Sequence, residues 1–340
     1  MRPFILERPR TTIDAIGIAG TKPIAEPIAD RPAQFLAGGT TLIDLMKLDV
    51  MRPEMLIDIA HIAGGDADRI TSINGTLRLG AQVKMSDAAA HDAVKKDYPV
   101  IAQTLDLAAS PQLRNMATLG GNVLQRTRCP YFRDVSYVAC NKRNPGSGCS
   151  ALEGINRAHA VLGTSDACIA TYPGDFAQAL MALDAKIELA GPKGNTRKDF
   201  ADLHRSPEDR PHIETSLGTA ELILAFEIPA TPFAKRSRYV KVRDRQSYEF
   251  ALASAAVVLD MDGDHVREAR IALGGVATRP WRAHSAEELL KGKRLDQAMA
   301  EKAAQDAFAT ASSREHNAYK IPLGKSTLVR ALLETAAMEG

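Results

Sequence analysis

With 43 basic and 41 acidic side chains among 340 residues, the net charge is only +2, and no run of Lys or Arg offers a polyanion a track, so nucleic acid is not expected as the main partner. The chain is too long for one small core, which makes two or three domains the expectation, and 45% hydrophobic with 25% charged residues is ordinary for a globular protein. No stretch approaches the roughly 18 apolar residues of a membrane span, and at the start Phe4-Ile5-Leu6 gives way to Glu7 too soon for the apolar region of an export signal.

Residues 12–19 read as a short helix and the Pro-rich 23–32 as a connector. Gln34, Phe35, Leu36 and Ala37 form a buried strand that runs into Gly38-Gly39-Thr40-Thr41. Leu42, Ile43, Leu45, Met46 and Leu48 then follow at helical spacing, with Thr40 or Thr41 expected as the cap. The N–H groups of such a helix start favour an anion in the loop before it, although a tight turn packed for steric reasons has the same sequence. Residues 55–59 are expected as a strand parallel to the first, and 70–79 as a hairpin about Asn74-Gly75. Ser86 is expected to cap an alanine-rich helix running to Lys96, and Pro99 to start another that reaches Ala109.

The chemistry-bearing pattern concentrates in residues 117–175. A second glycine pair, in Thr118-Leu119-Gly120-Gly121-Asn122, has Arg114 close enough to add charge, and the two pairs together suit one pyrophosphate; neither has the G-x-G-x-x-G spacing of a dinucleotide fingerprint. All four cysteines follow, as Cys129-x10-Cys140-x8-Cys149-x18-Cys168, without the C-x2-C knuckle of structural zinc sites. Between them residues 141–148 form a polar loop that needs a covalent or metal staple, and disulfides, zinc and a [4Fe–4S] cluster all meet that need. His159 could replace one ligand, but a lone histidine after Arg157 is more often a surface or capping residue.

Asp175 heads a helical stripe of Phe176, Ala179, Leu180 and Leu183; residues 186–189 are a strand turned at Pro192-Lys193-Gly194, and 221–229 a strong strand ended by Pro229. Thr231-Pro232 marks a domain boundary. Beyond it, 238–242, 251–261 and 266–273 are expected as three strands, with Asp262-Gly263 turning the last two, followed by helices at 286–291, 295–311 and 325–338.

Phe35-Leu36-Ala37-Gly38-Gly39-Thr40-Thr41-Leu42, Ala117-Thr118-Leu119-Gly120-Gly121-Asn122, Pro173-Gly174-Asp175, the strand of Lys241 and the Gly274-Gly275-Val276-Ala277 turn with Arg279-Pro280 resemble the flavoprotein subunit of molybdenum hydroxylases, the xanthine oxidase family, over nearly the whole chain. The resemblance implies an α+β protein. Residues 1–230 would form a two-part FAD-binding domain of the PCMH (vanillyl-alcohol-oxidase-like) type, and 231–340 an α+β C-terminal domain with a three-stranded sheet and helices. It also implies that the Phe35–Leu42 run, with Thr118, Gly120, Gly121 and Asn122, holds the pyrophosphate of FAD. Asp175 would bond a ribose or ribityl hydroxyl, the backbone near Ile223 would flank the flavin, and Lys241 would lie near the ring. Gly174 stands where many relatives have serine.

Residues 124–171 are a long insertion by the standard of that family and resemble the one in the FAD subunit of periplasmic aldehyde oxidoreductases, where Cys129, Cys140, Cys149 and Cys168 match the ligands of a [4Fe–4S] cluster. This likeness implies a three-part complex. A large molybdenum-pterin subunit oxidises an aldehyde to a carboxylic acid, a small subunit relays electrons through two [2Fe–2S] clusters, and this chain passes them through FAD to an external acceptor. No residue of this chain then acts on the aldehyde as acid or base. The complex is expected in the periplasm by export with a signal-bearing partner, with the cytoplasm as the alternative. Two other readings stay open beside this one: an NAD(P)H-dependent flavin reductase of the same fold, and a zinc-stapled scaffold without catalysis.

Overall fold

The computed structural model describes residues 1–22, 27–62 and 66–338. Its chain begins with a small parallel sheet in which β1 (Ile5–Glu7) and β2 (Ala33–Leu36) both pair with β3 (Met55–Asp58), in the order β1-β3-β2. Alternation along these strands sends Phe35 and Ile57 to one face and Leu36 and Leu56 to the other. The first face is covered by α1 (Thr12–Gly20) through Ala15, Ile16 and Ala19, and the second by α2 (Leu42–Lys47) through Leu45 and Met46. Thr11 caps α1, accepting from the Asp14 N–H at 3.1 Å. The cap expected for α2 does not form: Thr41 stands at the cap position with φ −106° and ψ −49°, already helical, and a hydroxyl there is not aimed back at the following amides. Of the expected 23–32 connector, 23–26 lie outside the described residues, and Ile28–Asp30 make a single 3-10 turn.

The hairpin of β4 (Ile70–Ile73) and β5 (Thr76–Gly80) turns at Asn74 and Gly75, whose φ of 51° and 78° are those of a tight primed turn. A series of short helices follows: α3 (Met85–Ala90), α4 (Asp92–Asp97), α5 (Pro99–Asp106), α6 (Pro111–Met116), α7 (Leu119–Val123), α8 (Pro130–Arg133) and α9 (Phe176–Ala182). The single helix expected from Ser86 to Lys96 is thus two. It starts at Met85 without a side-chain cap and breaks at His91, whose ψ of 130° is extended and lets Met85, Ala88 and Val94 all reach the core. Next, β6 (Lys186–Gly191), β7 (Gly194–Asp199) and β8 (Leu222–Ile228) join the hairpin in an antiparallel sheet ordered β4-β5-β8-β6-β7. Every residue of α9 is buried, because the helix is wedged between α5 and the C-terminal sheet.

That last sheet has four strands where three were expected: β9 (Ser237–Val242), β10 (Ala253–Asp262), β11 (His265–Gly274) and β12 (Trp281–Arg282), ordered β12-β11-β10-β9. A two-residue strand is too short to leave an alternating pattern in the sequence. The helices α10 (His284–Leu290), α11 (Gln297–Ala307) and α12 (Lys320–Ala336) pack on it, α12 lying against β9 and β10. α12 starts a turn and more before the expected 325, with Pro322 tolerated in its first turn. No helix among the described residues is long and apolar enough to cross a membrane.

Two helical glycines have opposite surroundings. At Gly17 in α1 an added Cβ meets nothing within 4 Å, whereas at Gly324 in α12 it would stand 2.3 Å from the Phe308 ring. Gly17→Ala should therefore raise stability by about 0.5–1 kcal/mol, and Gly324→Ala should lower it by about 1–3 kcal/mol despite the better helix former. Thermal unfolding of the two purified variants checks this; a stabilised Gly324→Ala would mean that α11 and α12 are packed differently.

Candidate functional site

A cavity of about 240 Å³ opens between the parallel sheet, α7 and the end of β8. Phe35, Ala37, Gly38, Gly39, Thr40, Thr41 and Leu42 line it, together with Thr118, Gly120, Gly121 and Ile223, so residues far apart in sequence meet around one cavity. Leu36 does not line it: the alternation of β2 turns its side chain to the opposite face, against the cluster that holds Leu45, Phe132 and Cys140.

The two glycine pairs work differently. Gly38 lies so close over the end of α6 that a Cβ would meet the Met116 carbonyl oxygen at 2.1 Å, and Gly39 has φ +73°, a left-handed conformation. The chain thereby turns so that the amides of Gly38 to Leu42 donate to no acceptor among the described residues. In the second pair the amides are taken. Leu119 donates to Val83 O at 3.0 Å, Gly120 to Ala81 O at 2.9 Å and Gly121 to the Thr118 hydroxyl at 3.1 Å. What this pair gives the cavity is room: Gly120 lets α7 seat on Ala81, whose Cβ lies 3.1 Å from an ideal Cβ there.

Besides Leu36, four expected residues lie away from the lining. Arg114 donates to Ala108 O at 2.8 Å across the start of α6, and Asn122 is 9% exposed with its Oδ1 unpartnered among the described residues. Asp175 and Lys241 hold each other. The Lys241 ammonium donates to Asp175 Oδ2 at 2.8 Å and to Leu107 O at 3.0 Å, and the Tyr239 hydroxyl donates to Asp175 Oδ1 at 2.5 Å. Both carboxylate oxygens are thus engaged, and burial with the Asp175 charge pushes the Tyr239 phenol well up. The glycine at 174 has a local cause, since a Cβ there would stand 2.4 Å from the hydroxyl of Tyr172, which donates to Val123 O.

No motif in the sequence points to Arg126 and Glu214, which also line the cavity and form an ion pair at 2.9 Å. Arg126 is buried, its guanidinium over the ring of Phe132 in the same insertion. Glu214 lies in a polar stretch without periodicity, and burial would raise its carboxyl, but Arg126 and Lys142 hold it down to about 2.

Within the insertion the four thiols are free. Cys140 and Cys149 face each other in an antiparallel bridge, and the Cys168 thiol donates to Cys149, bringing it down to about 7. Burial pushes Cys129 up to about 12 and also raises Cys140. His159, expected at the surface, is 2% exposed with Nε2 3.1 Å from Cys129 Sγ. Among the described residues no three Cys, His, Asp or Glu side chains converge on a single-ion geometry. The polar loop has an order of its own: Arg143, 7% exposed, donates to Tyr131 O and Phe132 O at 2.9 and 2.7 Å, and Asn141 bonds both Gly148 N and Ala167 O.

The family description "FAD binding domain in molybdopterin dehydrogenase" matches residues 3–231, and "CO dehydrogenase flavoprotein C-terminal domain" matches 238–335. The chain is 46% identical over 339 residues to the aldehyde oxidoreductase FAD-binding subunit PaoB of Escherichia coli K12, covering 99% of each. It is 29% identical over 300 residues to the carbon monoxide dehydrogenase medium chain of Afipia carboxidovorans, covering 88% of this chain and 84% of that one. A solved Cu,Mo-CO dehydrogenase in its cyanide-inactivated form shares the fold with a TM-score of 0.74 at 28% identity, over 99% of each chain. The chain therefore belongs to the family of FAD-binding subunits of molybdenum hydroxylases.

Proposed function

We propose that this chain is the electron-transfer subunit of an aldehyde-oxidising molybdenum hydroxylase, carrying FAD in the glycine-lined cavity and a [4Fe–4S] cluster on Cys129, Cys140, Cys149 and Cys168. The observation that carries it is the row of amides from Gly38 to Leu42, without an acceptor among the described residues, in a loop lining a cavity that Gly120 and Gly121 also line. Such a row fits the diphosphate of FAD, since backbone N–H groups without protein acceptors are donors for an anion. Full-length identity of 46% to an aldehyde oxidoreductase subunit supports the substrate class. Bound FAD supplies the two-electron chemistry, and the protein supplies binding and electrostatics.

The residues of this chain then have distinct tasks. The Gly38–Leu42 amides hold the diphosphate, Thr118 keeps α7 in place beneath it, and the backbone at Ile223 flanks the flavin. Asp175 reaches a ribose or ribityl hydroxyl only by exchanging Tyr239 or Lys241 for it, because both its oxygens are otherwise engaged. Four free thiols, near enough to act on one another's ionisation, are a donor set of the kind that would hold a cluster. The proposed partners are a large molybdenum-pterin subunit and a small subunit with two [2Fe–2S] clusters, with an external acceptor taking the electrons. Export in the folded state with a signal-bearing partner would bring the complex to the periplasm and protect the thiols from oxidation. Cell fractionation with and without the partner's signal tests that route, and an unchanged location counts against it.

The visible spectrum of the purified chain tests the whole reading: flavin bands over broad iron–sulfur absorption are expected, and flavin alone or neither would overturn all or part of it. Gly121→Val places a branched side chain where an ideal Cβ already lies 3.0 Å from the Thr118 hydroxyl, on the cavity wall. It should weaken FAD binding at least about tenfold, ~1.4 kcal/mol, and leave iron in place. Full FAD content in this variant would remove the second glycine pair from the site.

Cys149→Ser replaces a thiolate by a poor iron ligand, so iron and acid-labile sulfide should fall sharply. Because Arg143 and Asn141 hold the loop through hydrogen bonds of their own, the variant should keep its fold and its FAD. Wild-type protein that contains zinc, or disulfides and no sulfide, would refute the cluster.

A further inference from the structure

Behind the glycine loops a buried group of charges separates the cavity from the cysteines. Arg126 is 5% exposed; its Nε donates to Glu214 Oε2 at 2.9 Å, and its guanidinium lies 4.6 Å over the Phe132 ring. On the far side of the same carboxylate, Lys142 sits 2.9 Å from Glu214 Oε1 and donates to Pro211 O at 3.0 Å. Two cations share one carboxylate, so one positive charge is left over in a place that water hardly reaches. A buried excess charge is costly unless an anion answers it.

Of the two cations only Arg126 also borders the larger cavity. Lys142 lines only a small cleft that it shares with Cys168, whereas Arg126 and Glu214 line both that cleft and the larger cavity. The ring of Phe132 and the bond to Glu214 fix the plane of the Arg126 guanidinium, yet its two terminal nitrogens, Nη1 and Nη2, are buried and have no hydrogen-bond partner among the described residues. A residue that served only to knit the fold would have spent those donors on carbonyls, as Arg143 does on Tyr131 and Phe132 nearby. A guanidinium held rigid with two parallel donors free suits an anionic oxygen, which it binds as a fork.

We infer that Arg126 is a cofactor-holding residue whose Nη1 and Nη2 donate to a phosphate oxygen of the FAD diphosphate in the cavity, with Glu214 as the residue that positions it; this rests on the FAD reading above. The diphosphate is thereby held from two sides, by neutral amides of the Gly38–Leu42 loop and by a charged fork from the start of the insertion. The insertion then contributes to flavin binding as well as to metal binding.

The test uses the full chain with its flavin removed, titrated separately with FAD and with ADP, which carries the diphosphate but no flavin. In Arg126→Gln both affinities should fall about 10- to 100-fold, the size expected when a charged donor to a buried anion is lost. Arg126→Lys keeps the charge beside Glu214 but not the fork and should fall less; it also carries the test if Arg126→Gln does not fold. Unchanged FAD affinity in a folded variant overturns the inference. A loss confined to FAD, with ADP unaffected, also overturns it, since the contact would then be to the flavin half. Wild-type protein that binds neither molecule overturns the inference and the FAD reading together, whereas wild-type binding with an unaffected variant overturns the inference alone.

Discussion

A buried ion pair spans the two halves of this protein. Lys241 and Asp175 are 1% and 5% exposed at the side chain and lie 2.8 Å apart, one on β9 of the C-terminal domain and the other at the head of α9 in the FAD-binding domain. A buried pair gains little over apolar packing, but removing one partner leaves a naked charge, so such a pair fixes geometry more than it adds stability. Here the remaining valences are filled as well, by Tyr239 on the carboxylate and Leu107 O on the ammonium. The consequence is that β9, α5 and α9 have one relative placement. The apolar surfaces of α9 and of the β10–β11 sheet then close against each other without needing to select it.

The insertion is a second case of polar groups doing what an apolar core does elsewhere. It has one four-residue helix and no strand, yet Arg143, Asn141 and Ser147 bond backbone groups of the segment on all sides, and Tyr131, Ala151 and Ile169 form a small apolar cluster against Cys129 and Cys149. Fully satisfied polar networks specify one arrangement because every alternative leaves a buried donor unpaired. The frame that presents the thiols thus has hydrogen bonds of its own. That separates two questions the sequence joins, what holds the loop and what the cysteines bind.

Much of this was legible in the residues. The β2–α2–β3 unit follows from a buried strand, a glycine turn and a helical stripe in Phe35 to Leu48, and the β10–β11 hairpin from Asp262-Gly263 between two apolar runs. Short elements were not legible: β1 and β12 have too few residues for a period, and α3 and α4 differ from one helix only by the ψ of His91. Polar partners were hidden for another reason. That Asp175 meets Lys241, or that Arg126 meets Glu214, depends on contacts between residues 66 and 88 positions apart, which no local pattern encodes.

The same limit explains why two identical dipeptides proved to have different jobs. Gly38-Gly39 and Gly120-Gly121 both read as places where backbone comes close to an anion, and both line the cavity. In the first pair, Gly39 supplies a left-handed turn and Gly38 a close crossing over Met116 O, and the amides from Gly38 to Leu42 have no acceptor among the described residues. In the second, the first-turn amides of α7 are consumed by Val83, Ala81 and Thr118, so glycine is required by the packing of a helix on a strand end. A single loop of neutral amides leaves the charge of a diphosphate only partly answered, and the same cavity is lined by Arg126, whose buried terminal nitrogens have no partner among the described residues. The second glycine pair supplies the space and Arg126 the charge, a division of labour that neither residue type reveals on its own.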